Sequence, residues 1–274
     1  MILCRTSGGM EITMLPGVYC AQKKDGTIYY RASINYKNKH ISLGSYATEK
    51  EAHLTYLEAA SILNNIDYSI DILATRLHTL SFEKAVCLVN FRDNGMYIKT
   101  PIYLQKKFFQ YYLSPTEYLI FDIDDLFYYS SHKIMRRQGH YFVSDFGMQV
   151  TIQSRYGIKP YAVEGRDYEF INGNSFDYRY ENIHIINKYA GVMQTMQGSK
   201  TVYKTRIHIH GDYVVGIYPT EEEAAIAYNK AIDVATAQGI KKTFVPNYIE
   251  DLSPSTYAEI YHKTKISSKL YALS

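Results

Sequence analysis

The sequence predicts an α+β protein in which two small modules, each a three-stranded antiparallel sheet with one helix, flank a central domain. Three observations predict this fold class. Residues 29–63 and 202–235 are two copies of one pattern. Polar and apolar residues alternate in the first half of each copy, as they do in half-buried strands. A helix-start signal then follows at the same distance in both copies.

Each copy opens with two predicted strands. Gly44 and Tyr46 of the first copy match Gly216 and Tyr218 of the second, which is one residue shorter between its strands. In the first copy the alternating polar and apolar sets are Arg31, Ser33 and Asn35 against Tyr30, Ala32 and Ile34. In the second copy they are Lys204, Arg206 and His208 against Tyr203, Thr205 and Ile207. This period of two predicts that one face of each sheet is solvated.

Each copy continues into a helix that begins with a capping box. Thr48 is followed three residues later by Glu51, and Thr220 by Glu223. The Thr hydroxyl accepts from the third amide of the helix, and the Glu side chain reaches back to the Thr amide. Small residues recur at helical spacing after each box, which lets the helix lie close to the sheet: Ala52, Ala59 and Ala60 in the first copy, Ala224, Ala227 and Ala231 in the second.

The repeats and the composition changes divide the chain into five ranges. They are an N-terminal module at 1–65, a helical connector at 66–99, a central domain at 100–189, a C-terminal module at 190–250 and a tail at 251–274.

Composition excludes several classes of protein. The chain has 274 residues, a formal net charge of +3, 29 Tyr and no Trp. Its three cysteines form neither a CxxC pair nor a zinc-ligand spacing, so structural zinc and a disulfide framework are not expected. We recognise no signal peptide and no apolar run of about 18 residues. The expectation is a soluble, cytoplasmic protein with no membrane partner and no bound cofactor.

Charge is distributed unevenly within each copy. Between residues 18 and 43 five Lys and Arg stand against Asp25 alone, and the second copy has the same bias on its strands. The acidic residues collect on the predicted helices. A basic sheet face can contact phosphates and base edges, so this polarity favours binding to double-stranded DNA. The alternative is an ordinary solvated sheet face.

The pattern GVY, YRASI, KHISLGSY and TEKEA resembles the Apetala/ethylene-response-factor type of DNA-binding domain, and YKTRIHIHG, VGIYPTEEEA and GIKKTFVPN resemble it more closely. The resemblance implies that the open sheet face enters the major groove while the helix supports it from behind. The family's strand tryptophan is replaced by Tyr30 and Tyr203. The arginine after the Gly-Val pair is replaced by Tyr19 and Met193, so the base preference is not implied.

The residues expected to contact DNA share a place on the predicted strands or turns, or in a basic stretch of the central domain. In the first module they are Tyr19, Gln22, Lys23, Lys24, Arg31, Ser33, Asn35, Lys37 and Lys39. In the second module they are Gln194, Lys200, Lys204, Arg206, His208 and His210. In the basic stretch HKIMRRQGH they are Lys133, Arg136 and Arg137, for which a solvated loop is the alternative.

The central range resembles phage-type HNH endonucleases. The DIDD stretch at 122–125, the GHYF strand at 139–142 and the RDYEFINGNSFDYRYENIHIIN segment at 166–187 carry the resemblance. It implies a ββα-like site in which a histidine activates water and Asp or His side chains hold one divalent metal.

The residues that would perform that chemistry are absent. Glu169 and Phe170 stand where the family has an Asp-His or His-His pair, Ile152 falls near the upstream histidine, and Tyr178 replaces an asparagine. Phe170 can neither accept a proton nor bind a metal. Gly173 is expected to supply a positive-φ turn, and Asn172 and Asn182 to tie its backbone. We therefore predict a degenerate nuclease domain with no catalytic residue and no metal. Asp122, Asp124 and Asp125 are interpreted as loop or helix-start residues.

Three functions remain open at this point. The first is a sequence-specific double-stranded DNA-binding protein, a transcriptional regulator or a phage or mobile-element repressor, that engages a bipartite site. The second is an active metal-dependent HNH-type endonuclease with the nonstandard set Glu169, Asp177 and His184. The third is an interaction adapter whose tyrosine-rich surfaces bind another chain, with a short amphipathic helix of the tail, 252–274, serving dimerisation. The competing interpretation of the tail is a helix that docks on the chain's own core.

Overall fold

The structure, a computed structural model, describes residues 3–5 and 11–272, with side chains from residue 14 onward. Contacts group the chain into two compact units. The first comprises 1–152 with 174–182, and the second comprises 153–173 with 183–274. The range 100–189 therefore contributes to both.

Helices and short antiparallel sheets are mixed throughout, which confirms the α+β class. The strands up to residue 151 are β1 (Leu3–Arg5), β2 (Glu11–Thr13), β3 (Val18–Gln22), β4 (Ile28–Tyr36), β5 (Lys39–Tyr46), β6 (Ile102–Leu104), β7 (Phe108–Tyr112), β8 (Tyr118–Asp122), β9 (Met135–Arg137), β10 (His140–Asp145) and β11 (Met148–Thr151). The later strands are β12 (Tyr168–Phe170), β13 (Ile183–Ile185), β14 (Val192–Gln197), β15 (Lys200–His208) and β16 (Asp212–Tyr218).

The helices are α1 (Glu49–Asn64), α2 (Ile70–Arg76), α3 (Phe82–Asn94), α4 (Leu126–Ser131), α5 (Ile152–Arg155), α6 (Glu221–Ala237) and α7 (Pro254–Lys263). Short 3-10 turns lie at Ile123–Asp125, Tyr180–Asn182 and Ser268–Ala272. None of the helices in the described ranges combines the length and apolar character that crossing a bilayer requires.

The first module is the sheet β3-β4-β5 with α1 packed on one face. Val18, Ala32 and Ile41 of the sheet are buried against Ala52 and Ala59 of the helix. Small side chains at the helix positions allow this close approach. The helix starts at the predicted capping box, with the Glu51 amide donating to Thr48 and the Glu51 carboxylate accepting from the Thr48 amide.

The second module repeats this plan with β14-β15-β16 and α6. Val192, Ile207 and Val215 of the sheet pack against Ala224 and Ala231 of the helix in one buried cluster. Thr220 caps α6 by accepting from the Glu223 amide at 3.2 Å. The two sheet-and-helix modules that the repeat predicts are therefore present.

The two modules share a β-bulge at the same register. On β4 the pairing shifts between Ala32 and Ser33, and on β15 it shifts between Thr205 and Arg206. The extra residue on the partner strand is Leu43 in one module and Val215 in the other. Both are buried, so each bulge places one additional apolar side chain in the core.

A glycine beside a helix tyrosine is also common to both modules. A Cβ on Gly17 (φ +76°) would lie 2.1 Å from the ring of Tyr56, and one on Gly191 (φ +71°) would lie 2.4 Å from Tyr228. Only glycine combines this left-handed backbone with so close an approach to a ring.

The remaining segments pack into the cores of their own units. The range 66–99 contains α2 and α3, and α3 shares one buried cluster with the first module through Val86, Val89 and Phe91. The sheet β6-β7-β8 buries Phe109, Tyr111 and Phe121. Stacking of Phe121 on Tyr129 of α4, with ring centroids 4.2 Å apart, links that sheet to the helix.

Candidate nucleic-acid interface

The open face of the first module is the side of its sheet that α1 does not cover. Residues directly opposite each other in an antiparallel sheet share a face. Tyr19 pairs with Arg31, and Arg31 pairs with Ser45, so these three residues form a row across β3, β4 and β5. Asn35 pairs with His40 further along the same face. No strand of this sheet carries an acidic residue.

Arg31 is exposed at the centre of this face and its guanidinium is held in place. Its Nη2 donates to the Tyr29 hydroxyl at 2.6 Å, and its Cζ lies 5.4 Å from the centre of the Tyr29 ring. Tyr29 and Arg31 share the face because they are two residues apart on one strand. The contact limits the rotamers of a cation that has free donors, which suits contact with a phosphate or a base edge.

The other basic residues of this module lie at the two ends of the sheet. Lys23 and Lys24 are exposed in the β3–β4 turn. Lys37 and Lys39 flank the β4–β5 turn and face the α3 end of the module. The Lys37 Nζ donates to the carbonyl of Arg92 at 3.3 Å, and the Lys39 Nζ lies 5.9 Å from the Tyr97 ring. These four lysines border the Arg31 row.

Two expected contacts of the first module are not available on the open face. Ser33 is only 7% exposed, although strand alternation predicts that it is solvated. It follows the bulge, and its amide donates to the Gly17 carbonyl at 3.0 Å, so the chain entering β3 lies against it. Gln22 has the strand parity of buried Val18, and its amide group donates to the Gly26 carbonyl at 3.0 Å. Ser33 therefore has the parity of the open face but is covered, and Gln22 lies on the opposite side of the sheet.

The open face of the second module has the same register but a different chemistry. Met193, Lys204 and Ile217 form the row that matches Tyr19, Arg31 and Ser45. Ile217 is 52% exposed and Val214 is 45% exposed on this face. Gln194 pairs with Tyr203, whose ring packs on the core, so its parity directs it to the helix side. Here the cross-strand neighbours of the central cation, Lys204, are aliphatic, whereas those of Arg31 in the first module carry hydroxyl groups.

Arg206 and His208 lie at one end of this face and line a cleft. Arg206 is half-buried, and the His208 Nδ1 is 2.8 Å from the Asp212 carboxylate. Lys200 is exposed as the first residue of β15, and His210 is exposed in the turn that follows the strand. Arg206 has the register of Ser33, because each residue follows the bulge of its own module.

The basic stretch of the central range is partly neutralised within the first unit. The Lys133 Nζ is 2.7 Å from the Glu83 carboxylate, and an Nη of Arg136 is 3.0 Å from that of Glu117. Arg137 is exposed on β9. These pairs reduce the positive potential that the sequence alone predicts for this stretch.

In the first unit the nuclease-like positions are built into the core. Ile152 is 2% exposed, and buried Tyr178 stacks on Phe121 with ring centroids 5.7 Å apart. Asp177 is 1% exposed and forms two contacts of 2.7 and 2.9 Å with the guanidinium of Arg179. The Asn182 amide donates to the carbonyl of Asp177 at 2.8 Å, which confirms its predicted role of tying the turn backbone.

In the second unit Glu169 and His184 face solvent side by side. They pair across β12 and β13, and the Glu169 Oε1 is 2.9 Å from the His184 Nδ1. Phe170, next along β12, is buried. Gly173 has φ +73°, which confirms the predicted left-handed turn. Among the described residues no three His, Cys, Asp or Glu side chains are grouped closely enough to hold a metal ion.

The acidic DIDD stretch has structural roles in the first unit. Asp122 accepts from the Tyr180 amide at 2.8 Å, and buried Asp125 stands at the start of α4. Asp122 is therefore the last residue of a strand and not a loop residue, whereas Asp125 has the predicted place at a helix start.

The sequence gives little or no signal for several residues of these faces. Tyr29 is predictable in hindsight from its spacing to Arg31. Val214 and Ile217 lie in a run, VVGIY, that is typical of a buried strand, so their exposure has no local signal. Lys242, which lines the cleft with Arg206, is distant in sequence and reaches it only through the loop after α6.

No family model, curated protein or solved structure matches this chain. The register, charge and burial of the residues described above therefore carry the functional argument.

Proposed function

We propose that this protein binds double-stranded DNA sequence-specifically through the open sheet faces of its two modules. In this proposal it acts as a transcriptional regulator or as a repressor of phage or mobile-element origin. The observation that carries the proposal is the separation of charge in each module. Of the six strands, only β16 carries an acid, Asp212, whereas α1 and α6 each begin with a cluster of glutamates. A cation, Arg31 or Lys204, stands at the centre of each open face.

This separation supports DNA over a merely solvated surface. A positive face attracts the phosphates and releases their counterions, while acidic residues on the opposite side orient the module. The Arg31 row places hydroxyl, aromatic and guanidinium groups on one flat surface, and these groups can contact base edges as well as phosphates. The aliphatic side chains beside Lys204 fit contact with thymine methyl groups.

Selection of duplexes from a random pool by the full chain tests the proposal. We expect an enriched sequence, and a gel-shift affinity for it that falls steeply as salt rises. Binding without any enriched sequence would reduce the protein to a nonspecific DNA binder. No binding at low salt would refute the proposal.

A second candidate, metal-dependent cleavage of DNA, is favoured by the exposed Glu169 and His184 pair, since a carboxylate and an imidazole are common metal ligands. Asp177, the third residue of that set, is buried and already bonded to Arg179. Supercoiled plasmid incubated with Mg²⁺ or Mn²⁺ distinguishes the two functions. Nicking that Glu169→Ala abolishes would establish the nuclease, and we expect no nicking.

A further inference from the structure

A cleft of about 530 Å³ lies entirely within the second unit. We call it the Arg206 cleft and define it by Tyr161, Arg166, Tyr189, Arg206, Tyr228 and Lys242. It lies where the end of β15 meets the start of β14, the loop after α6 and the segment 161–167. Its volume falls in the range of about 300–1,000 Å³ that is typical of small-molecule sites.

Arg206 is the one cation of the cleft whose side chain is left without a protein partner. Its Nε is buried and has no hydrogen bond, the only such buried side-chain atom in the described part of the chain. Arg166, by contrast, is bonded to Asp167, with its Nη2 at 2.6 Å from that carboxylate. A buried guanidinium donor without a protein acceptor is unfavourable, so an acceptor supplied by a ligand at this guanidinium would be stabilising.

Lys242 supplies a second cation. Its Nζ donates to the His208 carbonyl at 2.8 Å, which fixes its position and leaves two further donors. The two carboxylates of the cleft are already engaged, Asp167 with Arg166 and Asp212 with His208. Burial acts to raise the pKa of Asp167, but hydrogen bonds from Arg166, the Val163 amide and Asn187 lower it overall, so this carboxylate stays ionised and paired.

The rest of the lining is aromatic. Tyr161, Tyr189, Tyr228 and Phe244 line the same cleft. Burial raises the pKa of Tyr161 to about 12, so its ring carries a neutral hydroxyl at physiological pH. Flat side chains of this kind hold planar rings by stacking and offer hydroxyl groups for polar edges.

The first module provides an internal comparison for Arg206. The residue at the matching register is Ser33, which is short and uncharged. It therefore places no cation beside the first module's own helix tyrosine, Tyr56. The bulge, the glycine and the tyrosine are the same in both modules, so the fold does not require an arginine at this position. Arg206→Ser therefore reproduces a residue that the same scaffold already accepts.

We propose that the Arg206 cleft binds a nucleoside monophosphate, with the phosphate at Arg206 and Lys242 and the base against the tyrosine rings. A guanidinium fork matches phosphate geometry, two available cations suit one phosphate group, and the aromatic lining suits a base. Met193, Arg206 and His208 line this cleft and also belong to the open face of the second module, so the site adjoins the surface proposed for duplex DNA. The existence of the site does not depend on DNA binding.

Isothermal titration calorimetry of the full chain, without DNA, tests the site. The probes are AMP, CMP, GMP and UMP, with adenosine and inorganic phosphate as the two halves of a ligand. We expect at least one monophosphate to bind with a Kd tighter than about 1 mM, and both halves to bind at least about tenfold more weakly. No heat from any monophosphate at about 5 mM would overturn the proposal, and so would inorganic phosphate binding as tightly as the nucleotides.

Paired variants locate the bound ligand. Arg206→Ser and Lys242→Gln should each weaken the best monophosphate by about tenfold or more, because each removes a charge-assisted hydrogen bond. Lys241→Gln is the matched control, since Lys241 is the exposed neighbour outside the cleft, and it should leave the affinity unchanged. Equal loss in Lys241→Gln and Lys242→Gln would overturn the assignment.

Thermal unfolding of each variant establishes that it is folded. If Arg206→Ser does not fold, Lys242→Gln alone still tests the site. A final titration of the best monophosphate into the full chain is made in the presence of a short random duplex. Displacement of the nucleotide by the duplex would overturn a separate small-molecule site and make the cleft part of a DNA surface. Unchanged nucleotide affinity supports the proposal, whether or not the duplex itself binds.

Discussion

Arg31 and Arg206 stand on corresponding strands but lie in different surroundings. Arg31 precedes the register shift between β4 and β5, lies on the open face and is held over Tyr29. Arg206 follows the register shift between β15 and β16, where the chain before β14 meets it, and its Nε is buried in a cleft. The residue that matches Arg31 in the second module is therefore Lys204.

Arg31→Ala is expected to weaken binding of the full chain to its selected duplex. Loss of a guanidinium that reads a base is expected to reduce the binding free energy by about 1–3 kcal/mol. If Arg31 contacts only phosphate, the salt dependence of binding should become shallower by about one counterion. Gel shifts at several salt concentrations measure both quantities.

Lys50→Ala is the control for that experiment. Lys50 is exposed on α1, on the opposite side of the module, and its loss changes the net charge equally. We expect its effect on affinity to be small. An equal loss of affinity in Lys50→Ala and Arg31→Ala would mean that total charge, and not the open face, determines binding.

Gly17→Ala is expected to destabilise the first unit strongly. The new Cβ would lie 2.1 Å from the Tyr56 ring at a residue whose φ is +76°. The left-handed backbone costs about 1–2 kcal/mol and the overpacking about 1–3 kcal/mol more. Gly26→Ala should incur only the cost of the left-handed backbone, since φ is +87° and the new Cβ would lie 3.9 Å from its nearest neighbour. Urea unfolding should separate the two variants, and equal stabilities would contradict the ring contact.

At the scale of single elements, the C-terminal helix shows which of two predicted roles the fold supports. Tyr257, Ile260 and Tyr261 of α7 pack on the core of the second module. The Lys230 Nζ of α6 donates to the carbonyls of Tyr261 and Thr264, each at 2.8 Å. The apolar face of α7 is thus covered by its own unit, which favours docking over use as a dimer interface.

Leu270→Ala is expected to lower the stability of the second unit by about 2–5 kcal/mol, as large-to-small changes in a core do. Leu270 is fully buried just after α7, whereas its neighbour Tyr271 is 52% exposed. Tyr271→Ala is therefore the matched control and should have little effect. Thermal unfolding checks both variants.

Deleting 252–274 tests the same element by light scattering. We expect destabilisation of the second unit with the molar mass per particle unchanged apart from the missing residues. A stable truncated chain with half the mass of the full-length particle would instead make the tail a dimer interface.

At the scale of the whole molecule, two modules in one chain provide two potential contacts with one duplex. Binding by the first raises the effective concentration of the second at a neighbouring site, so weak contacts can give strong total binding. The two open faces differ in chemistry, polar around Arg31 and aliphatic around Lys204, so the two half-sites are expected to differ in sequence.

Separate half-site duplexes test this division. Arg31→Ala should weaken binding to one half-site and Lys204→Ala to the other, each by about 1–3 kcal/mol. On the joined duplex, each variant should also lose the gain that linkage provides. Fluorescence anisotropy measures all four combinations, and one half-site that responds equally to both variants would contradict two separate contacts.

Much of this architecture was predictable because its signals are local. The repeat, the period-two strands and the Thr48 and Thr220 caps depend on residues within a few positions of each other, and they predicted both sheets and both helices. Gly173 and Asn182 were predictable for the same reason, since a turn is defined by its own residues. The exposure of Ser33 was mispredicted because the chain entering β3 covers it, and Gln22 and Gln194 were misplaced because the face that a strand residue occupies depends on how its strand pairs with the next.

The sequence by itself determined the class of the fold, the position of each module and the charge polarity, with acidic residues on helices and basic residues on β-strands. It did so because helix and strand propensity, capping and alternation act over short stretches of chain. The tertiary structure alone decided which cations are free. It pairs Lys133 with Glu83, Arg136 with Glu117 and Arg166 with Asp167, and leaves the Nε of Arg206 buried without an acceptor. Those outcomes depend on distances between residues remote in sequence or on the local packing around a side chain, and neither is encoded in spacing along the chain.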